Sequence, residues 1–584
     1  MPFQHMLLAS VKFFPSLMGA IAISAVLSAS SCTTTPSSSS KFAEDTTAEG
    51  RLFGDYLAGT YANHVDDAKA RSDSFTRAFA IDPSDKYVAR RAVTSALTAG
   101  DFGLAVTLAN NVRKSGNVEP MANAILGTQQ LSQGRYADAL EEFSLETPEL
   151  TMAILMTLMQ GWSQNAIGDP SAARISFTSI AGGSYFSRLG QLQIAELETG
   201  LGNFDAAEAA LQALEDQNPQ SLELEMVLSR ARLMSAKGEI GGAEKYLSEY
   251  SQENGTFETG PIPAYIETLS RQQPIHEVFT AQQQAARALT QPAIGFFARN
   301  QAWDASEVFL RVATQLDPDY AKPRVWTGDI LAFKGRHAEA LALFRSIDVA
   351  DPYFVSAKLS EGQMQLRNEN DEDALSVFRN LNAQKPSLVT RNALGTYYLS
   401  KENYVDALPI YEAIIADLSE AEIKEDPRAL YLRGIAYERT ENWQAAVKDF
   451  ERVLSYKPDH ADALNYLGYT WVDRGENLTK AFDMIRKAVE LDPQSGAIVD
   501  SLGWAHYKLG QYEDARLKLE DAAALSPSSA TIIDHLGDVY YKLGRKTEAS
   551  YQWNRALDFD PTDKERREIA DKLRRGLSTS QSAP

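Results

Sequence analysis

Cysteine is almost absent: Cys32 is the only one in 584 residues, so the fold has no intrachain disulfide and no cysteine-rich metal site. Histidine is scarce too. The seven lie at positions 5, 64, 276, 337, 460, 506 and 535, with no HExxH and no pair at metal-ligand spacing. His506 and His535 fall on adjacent predicted helices, where packing or surface roles are the expectation. The phosphate-cradling GxxxxGK(S/T) and GxGxxG loops and the GxSxG elbow are missing, and no strand pattern exists to carry them. Acid pairs such as Glu141-Glu142 lie on helical stretches, where a solvated face is the default. Neither catalysis nor a metal or cofactor is expected. Basic runs are missing as well. The formal net charge is -21, and Lys564–Arg575 mixes its cations with acids, which argues against nucleic-acid phosphates as partners. Beyond residue 30, no apolar run approaches the roughly 20 residues of a membrane-spanning helix.

The lone cysteine has a telling setting. A weakly basic start ends at Lys12, and Phe13 to Leu27 is then apolar except for Pro15, Ser16 and Ser24. That stretch is short for a membrane span and suits the hydrophobic region of a secretory signal. Ala29-Ser30-Ser31-Cys32 resembles a bacterial lipobox, in which the chain is cut before the cysteine and the thiol is joined to diacylglycerol. The lipobox prefers Leu where this chain has Ala29. Ala29 and Ser31 also suit ordinary signal peptidase, and an uncleaved anchor is the third alternative; the lipobox resemblance favours lipidation of Cys32. Thr33 in place of Asp implies, by likeness to enteric sorting, export to the outer membrane. Residues 33–46 are rich in Ser, Thr and Pro, with little to bury, and read as a flexible tether.

What the chain has in abundance is repetition. Gly328 and Gly362, Gly434 and Gly468, and Gly503 and Gly537 recur at the period of 34 residues that marks a tetratricopeptide repeat (TPR). In phase with them come small residues, Ala340, Ala374, Ala407, Ala446, Ala481, Ala515 and Ala549. Large ones follow at Phe344, Phe378, Tyr411, Phe450, Ile485, Leu519 and Trp553. Proline closes most units, at Pro352, Pro386, Pro458, Pro493, Pro527 and Pro561, where it stops the second helix. Upstream, ILGTQQLSQGRYADALEEF is a nearly ideal unit. Gly168 with Ala173 and Phe177, Gly202 with Ala207 and Leu211, and Gly59 with Phe75 continue the pattern. The expected fold is all-α, a TPR solenoid wound as a right-handed superhelix of about a dozen or more repeats, in two halves. Its expected organisation is a signal peptide over 1–31 and a lipidated Cys32 with tether over 32–46. An N-terminal TPR-like solenoid spans 47–251, an irregular connection 252–275 and a C-terminal TPR solenoid 276–563. A capping helix with a disordered tail closes the chain over 564–584.

A TPR solenoid offers a groove lined by the first helix of each unit. Counting each glycine as position 8, positions 5, 9, 12 and 13 face it. The candidate partner-binding residues are Tyr431, Asn465, Tyr469, Asp500, Trp504, Tyr507, Lys508, Asp534, Asp538, Tyr541 and Lys542, joined by Ile435, Glu438, Arg439, Val472 and Asp473. Aromatic rings beside Asn and Asp make a floor for a peptide, although Tyr and Trp also serve as packing between repeats. The lysine-asparagine clamp by which chaperone-binding TPRs hold a terminal carboxylate is missing, since position 5 carries Asn or Asp.

Over 321–561 the chain resembles the large outer-membrane TPR lipoproteins of proteobacteria. LNYLGYTWVDRG, IVDSLGWAHYKLGQYEDA and IIDHLGDVYYKLGRKTEA carry the likeness, and AEALALFRSIDVADPYFVSAKL with YLAGTYA and FTRAFAIDP extend it over most of the mature chain. One branch of that family is the lipoprotein binding partner of a periplasmic carboxyl-terminal processing protease. It is similar in architecture and job to the smaller enteric TPR lipoprotein adaptor of the tail-specific protease. The resemblance implies a non-catalytic adaptor, lipid-anchored at the outer membrane and facing the periplasm of a Gram-negative cell. Its implied partners are a periplasmic serine protease and murein hydrolases, with the membrane reached through the lipid alone. The alternative is a scaffold for assembly of envelope polysaccharide or peptidoglycan synthesis or export machinery.

Overall fold

The recurring glycine and the large residue that follows it are two halves of one contact. Had Gly127, Gly362 and Gly434 a Cβ, it would lie 2.5, 2.5 and 2.8 Å from the rings of Phe143, Phe378 and Phe450, each from the second helix of the same repeat. The missing side chain lets two helices approach until the ring fills the crossing, and these three rings are fully or almost fully buried. The computed structural model describes residues 47–180, 184–217, 224–254, 260–275, 277, 279–298, 302–559 and 561–577. Cys32, the signal-peptide stretch, the tether, His5 and His276 lie outside them. Among the described residues there are 31 helices and no strand, in the helix-turn-helix order of a TPR solenoid.

Local chemistry sets the helix ends. Asp67, Asp101 and Asp169 each accept a hydrogen bond from the backbone N–H three residues on, at 2.9, 2.8 and 2.9 Å. Each such cap is worth about 1 kcal/mol. Between the helices of a repeat, one residue takes a left-handed conformation. Gly510 does so at φ +74°, but Glu441 holds the same turn position at φ +62° with a side chain that resists it.

The chain divides into two compact units, with the boundary between Thr390 and Arg391. The irregular 252–275 stretch lies within the first. Its described part forms a helix, Ile262–Ser270, whose Ile262, Tyr265 and Leu269 are buried with Val227, Leu228 and Leu247.

After that turn the first unit departs from a simple stack. The helices Ala281–Ala298 and Trp303–Leu316 return onto the first helices of earlier repeats, Lys86–Thr98, Pro120–Ser132 and Leu150–Ala166. Leu289, Phe309, Leu310 and Val312 join Leu97, Ile125, Leu131 and Leu158 in one buried core. At the edge of this contact Glu307 is fully buried among three cations. It accepts from Lys334 Nζ at 3.1 Å and Arg336 Nη1 at 2.9 Å, with Arg311 Nη2 at 3.5 Å. Arg336 also donates to the Thr98 carbonyl at 2.9 Å, closing the end of the Lys86–Thr98 helix. In the second unit the first helices at 428–439, 461–474, 496–508 and 530–542 each pack on their own second helix and on adjoining ones, with one short extra helix, Glu420–Glu425, inserted ahead of them. Its last helix, Asp563–Arg575, is fixed by a reciprocal cap between Thr562 and Glu565 and buries only Ile569.

Candidate functional site

Solenoid grooves are lined by first helices, so the question is which of these remain uncovered by the chain itself. In the first unit, those at 86–98, 120–132 and 150–166 are covered by the returning 281–316 pair. In the second unit, the helices Arg428–Arg439, Ala461–Arg474, Gly496–Lys508 and Ala530–Lys542 meet helices of their own and adjoining repeats. All eleven sequence-predicted partner residues lie on these four helices.

The structure uses several of the eleven internally. Asp500 is buried, and its two oxygens lie 3.0 and 3.1 Å from Nδ1 of the buried His535 in the next repeat. Burial pushes the His535 imidazole down, but Asp500 outweighs it, with Asp534 and Asp538 adding to the effect, and the net shift is upward. Trp504 is stacked between His535, at 4.0 Å, and Tyr507, at 4.6 Å, with the Lys508 ammonium 5.5 Å from its ring centre. Tyr507 is itself buried and meets Tyr512 at 5.5 Å. Lys508 reaches back to Asp473 of the preceding repeat, at 3.1 Å. These contacts tie repeat to repeat.

Toward the end of the unit, Asp534 and Asp538 both receive Lys572 from the last helix, at 2.7 and 2.8 Å, and Asp538 also accepts from Trp553 Nε1 at 2.9 Å. Burial, followed by the neighbouring Asp538, pushes the Asp534 carboxyl up to about 6. Tyr541 packs on Trp553 at 5.6 Å, with Gly576 close over its hydroxyl, and Lys542 sits half-buried beside it. Lys572 completes this cluster and carries no pattern of its own in the sequence. A single lysine on a charged amphipathic helix reads as a solvated face.

Toward the start of the unit, Tyr431 is half-buried between Phe450, His460 and Tyr466, at 6.0, 5.2 and 6.2 Å. Tyr469 is half-buried, and its hydroxyl is pushed up by burial first and then by Asp500 and Asp473. Two polar atoms stand out here. Asn465 Oδ1 and Trp504 Nε1 are buried with no hydrogen-bond partner, one an acceptor and one a donor, on adjacent first helices. Asp534 Oδ1, on the helix after that, is likewise unpartnered. An unsatisfied buried group of this kind costs about 1–3 kcal/mol. His506, bonded to Gln511 at 2.7 Å, and His535 each have separate partners. Among the described residues, no group of three or more His, Cys, Asp and Glu side chains has the geometry to hold a metal ion.

The tetratricopeptide repeat family pattern matches residues 90–149 in the first unit and 392–450, 431–496 and 501–564 in the second. The chain is 30% identical over 172 residues to a TPR repeat-containing protein of Pseudomonas aeruginosa, covering 29% of this chain and 28% of that one. It is 23% identical over 262 residues to anaphase-promoting complex subunit CDC16 of Saccharomyces cerevisiae, covering 43% and 31%. The alignments thus span less than a third of either relative. Among solved structures, the APC/C hetero-tetramer Cut9-Hcn1 aligns with 90% of this chain and 96% of its own at 15% identity and a TM-score of 0.35. A MamA structure aligns with 28% and 95% at 24% identity and a TM-score of 0.24. The chain carries tetratricopeptide repeats over the matched residues, and such repeats indicate a protein-interaction scaffold.

Proposed function

We propose that the second unit binds an extended segment of a partner protein across the first helices 461–474 and 496–508. The observation that carries this reading is the pair of buried, unsatisfied polar atoms, Asn465 Oδ1 and Trp504 Nε1. An extended backbone presents N–H and C=O groups in alternation, so a segment that displaces the side chains lying over these two atoms satisfies both an acceptor and a donor. The half-buried Tyr469 supplies apolar surface between them. Asp500, Asp538 and Tyr507 serve this site indirectly, by holding the repeats in register.

At the level of the cell, the chain is an adaptor: lipidated at Cys32, held at the outer membrane, and bound to a periplasmic carboxyl-terminal processing protease to which it presents cell-wall hydrolases. The lipobox-like stretch and the resemblance over 321–561 support this. The mechanism is local concentration, since a scaffold that holds enzyme and substrate together raises their encounter rate without new chemistry.

The test is cross-linked co-purification of the native chain and of an Asn465→Ala/Trp504→Ala pair, with bound proteins identified by mass spectrometry. The native chain recovers a serine protease together with murein hydrolases, and the double variant loses at least one of them by tenfold or more. Recovery of envelope-polymer synthesis or export components in their place would transfer the role to that machinery. Undiminished recovery by the double variant would remove the groove from the account. Retention of a Cys32→Ser chain in the membrane fraction would remove the lipid anchor.

A further inference from the structure

The two ends of the described chain are finished differently. Asp563–Arg575 turns Lys564, Arg567, Glu568, Asp571 and Arg574 to solvent, which is how a repeat array keeps its end soluble. Ala48–His64, the first described helix, does the opposite. Its Gly59 and Ala62 are buried against the next helix, with Phe75 closing on Gly59. The other side shows Phe53, Leu57, Tyr61 and Val65 exposed at 65, 50, 69 and 50%, at intervals of four residues, with Gly54 and Ala58 between them. No Asp, Glu, Lys or Arg interrupts that side. In a repeat array this is the side on which a preceding helix packs. On the proposed reading that the chain is cut before Cys32, residues 33–46 lead into the helix and contain one large apolar residue, Phe42, too little to cover it.

We infer that this face pairs with the same face of a second copy, the two Ala48–His64 helices crossing antiparallel about Leu57. Large residues alternate with Gly54 and Ala58 along the face, so the Phe53 side chain of one copy meets the gap beside Ala58 and Tyr61 of the other. Polarity at the ends agrees. Among the described residues Arg51 and Asp66 form no ion pair, and antiparallel pairing brings the two ends of the helix, and with them these opposite charges, together. For a head-to-tail stack, the last described helix offers a charged side rather than an apolar one. To an anionic lipid surface this helix offers one cation, Arg51, beside Glu49 and the Arg77-paired Asp55, which gives no attraction. The exposed portions of the four large side chains amount to on the order of 400–500 Å² per copy. Pairing buries roughly twice that, near the ~1,000 Å² at which a specific interface begins. The dimer is therefore weak in solution, and anchoring copies at one surface raises its occupancy.

The test uses the full chain in its native membrane, with Leu57→Cys introduced and the parent chain as the control for Cys32. Mild oxidation traps a disulfide-linked homodimer through residue 57, the position nearest the two-fold axis, and the parent gives none. The detergent-solubilised Leu57→Asp chain dissociates at least tenfold more readily than the parent by sedimentation velocity, with unchanged helical circular dichroism. A Leu57→Cys chain that stays monomeric overturns the inference, as does one that links to a different protein. So does protection of Leu57 by the chain's own residues 1–46, seen as a monomer whose residue 57 resists thiol labelling. Equal self-association of Leu57→Asp and parent overturns it too.

Discussion

Substituting Glu307 by Gln tests whether the return of the Trp303–Leu316 helix onto the first repeats is held by charge as well as by apolar burial. The cluster balances three anions, Asp304, Glu307 and Glu339, against three cations, Arg311, Lys334 and Arg336. Glu307 is at its centre with no exposed surface, whereas Asp304 and Glu339 are 76% and 44% exposed. Burial pushes the Glu307 carboxyl up, but Lys334, Arg336 and Arg311 outweigh it and hold it below the usual range. The amide keeps the shape and removes the charge, leaving one buried cation without its counter-ion. Breaking a buried pair in this way costs about 3–5 kcal/mol. The lower end, about 3 kcal/mol, is expected here, because Asp304 and Glu339 still offset two cations and both reach solvent. Amide hydrogen exchange over Trp303–Leu316 and Lys86–Thr98 reads the loss directly, as a fall of that size in the opening free energy of both helices. Because the carboxyl is held low, its contribution is present above the unfolded value, ~4.3, and disappears as pH falls through the folded one. The Gln variant lacks that acid-side loss. A change below about 1 kcal/mol, or exchange altered in one helix alone, would refute the reasoning that ties the two.

Two further perturbations probe the repeats themselves. Gly362→Ala places a methyl group 2.5 Å from the Phe378 ring and destabilises the first unit by about 1–3 kcal/mol in denaturant unfolding, with part of the loss recovered by Phe378→Leu; an unchanged midpoint would mean that the crossing is loosely packed. In the second unit, the folded pKa of His535 is raised, so its stabilisation by Asp500 is complete below ~6.5 and lost as pH rises through the folded value. Asp534, pushed up to about 6, is almost fully ionised one unit higher, and Glu565 is held low, so the window above ~7 leaves chiefly the histidine. Urea midpoints of the second unit should decline across that window in the parent and stay flat in Asp500→Asn; parallel slopes would sink the assignment.

The repeat architecture was open to reading because its decisive contacts are short in sequence. Gly434 and Phe450 belong to one helical hairpin, and the same spacing recurs in repeat after repeat, so periodicity exposes the packing without any structure. Asp500 and Trp504 were legible as special first-helix residues for the same reason. Their partner His535 sits one repeat on, at a position the groove pattern does not mark, and sequence does not say whether such residues face a ligand or each other. Lys572 was not legible, because a lysine that enters a buried acidic pair and one that faces water look alike in a charged helix. Nor were the free atoms of Asn465 and Trp504, whose lack of a partner depends on every neighbour around them.

Sequence by itself determined that this chain is a helical repeat protein with a lone cysteine in a lipobox-like setting, because helix periodicity and repeat phase are set by residues within 34 positions of one another. Only the tertiary structure decided which first helices stay uncovered. The returning 281–316 pair meets repeats some two hundred residues earlier, as when Arg311 donates to the Thr98 carbonyl. That contact is selected by the shape and charge of surfaces assembled after the repeats have stacked, and no local spacing records it.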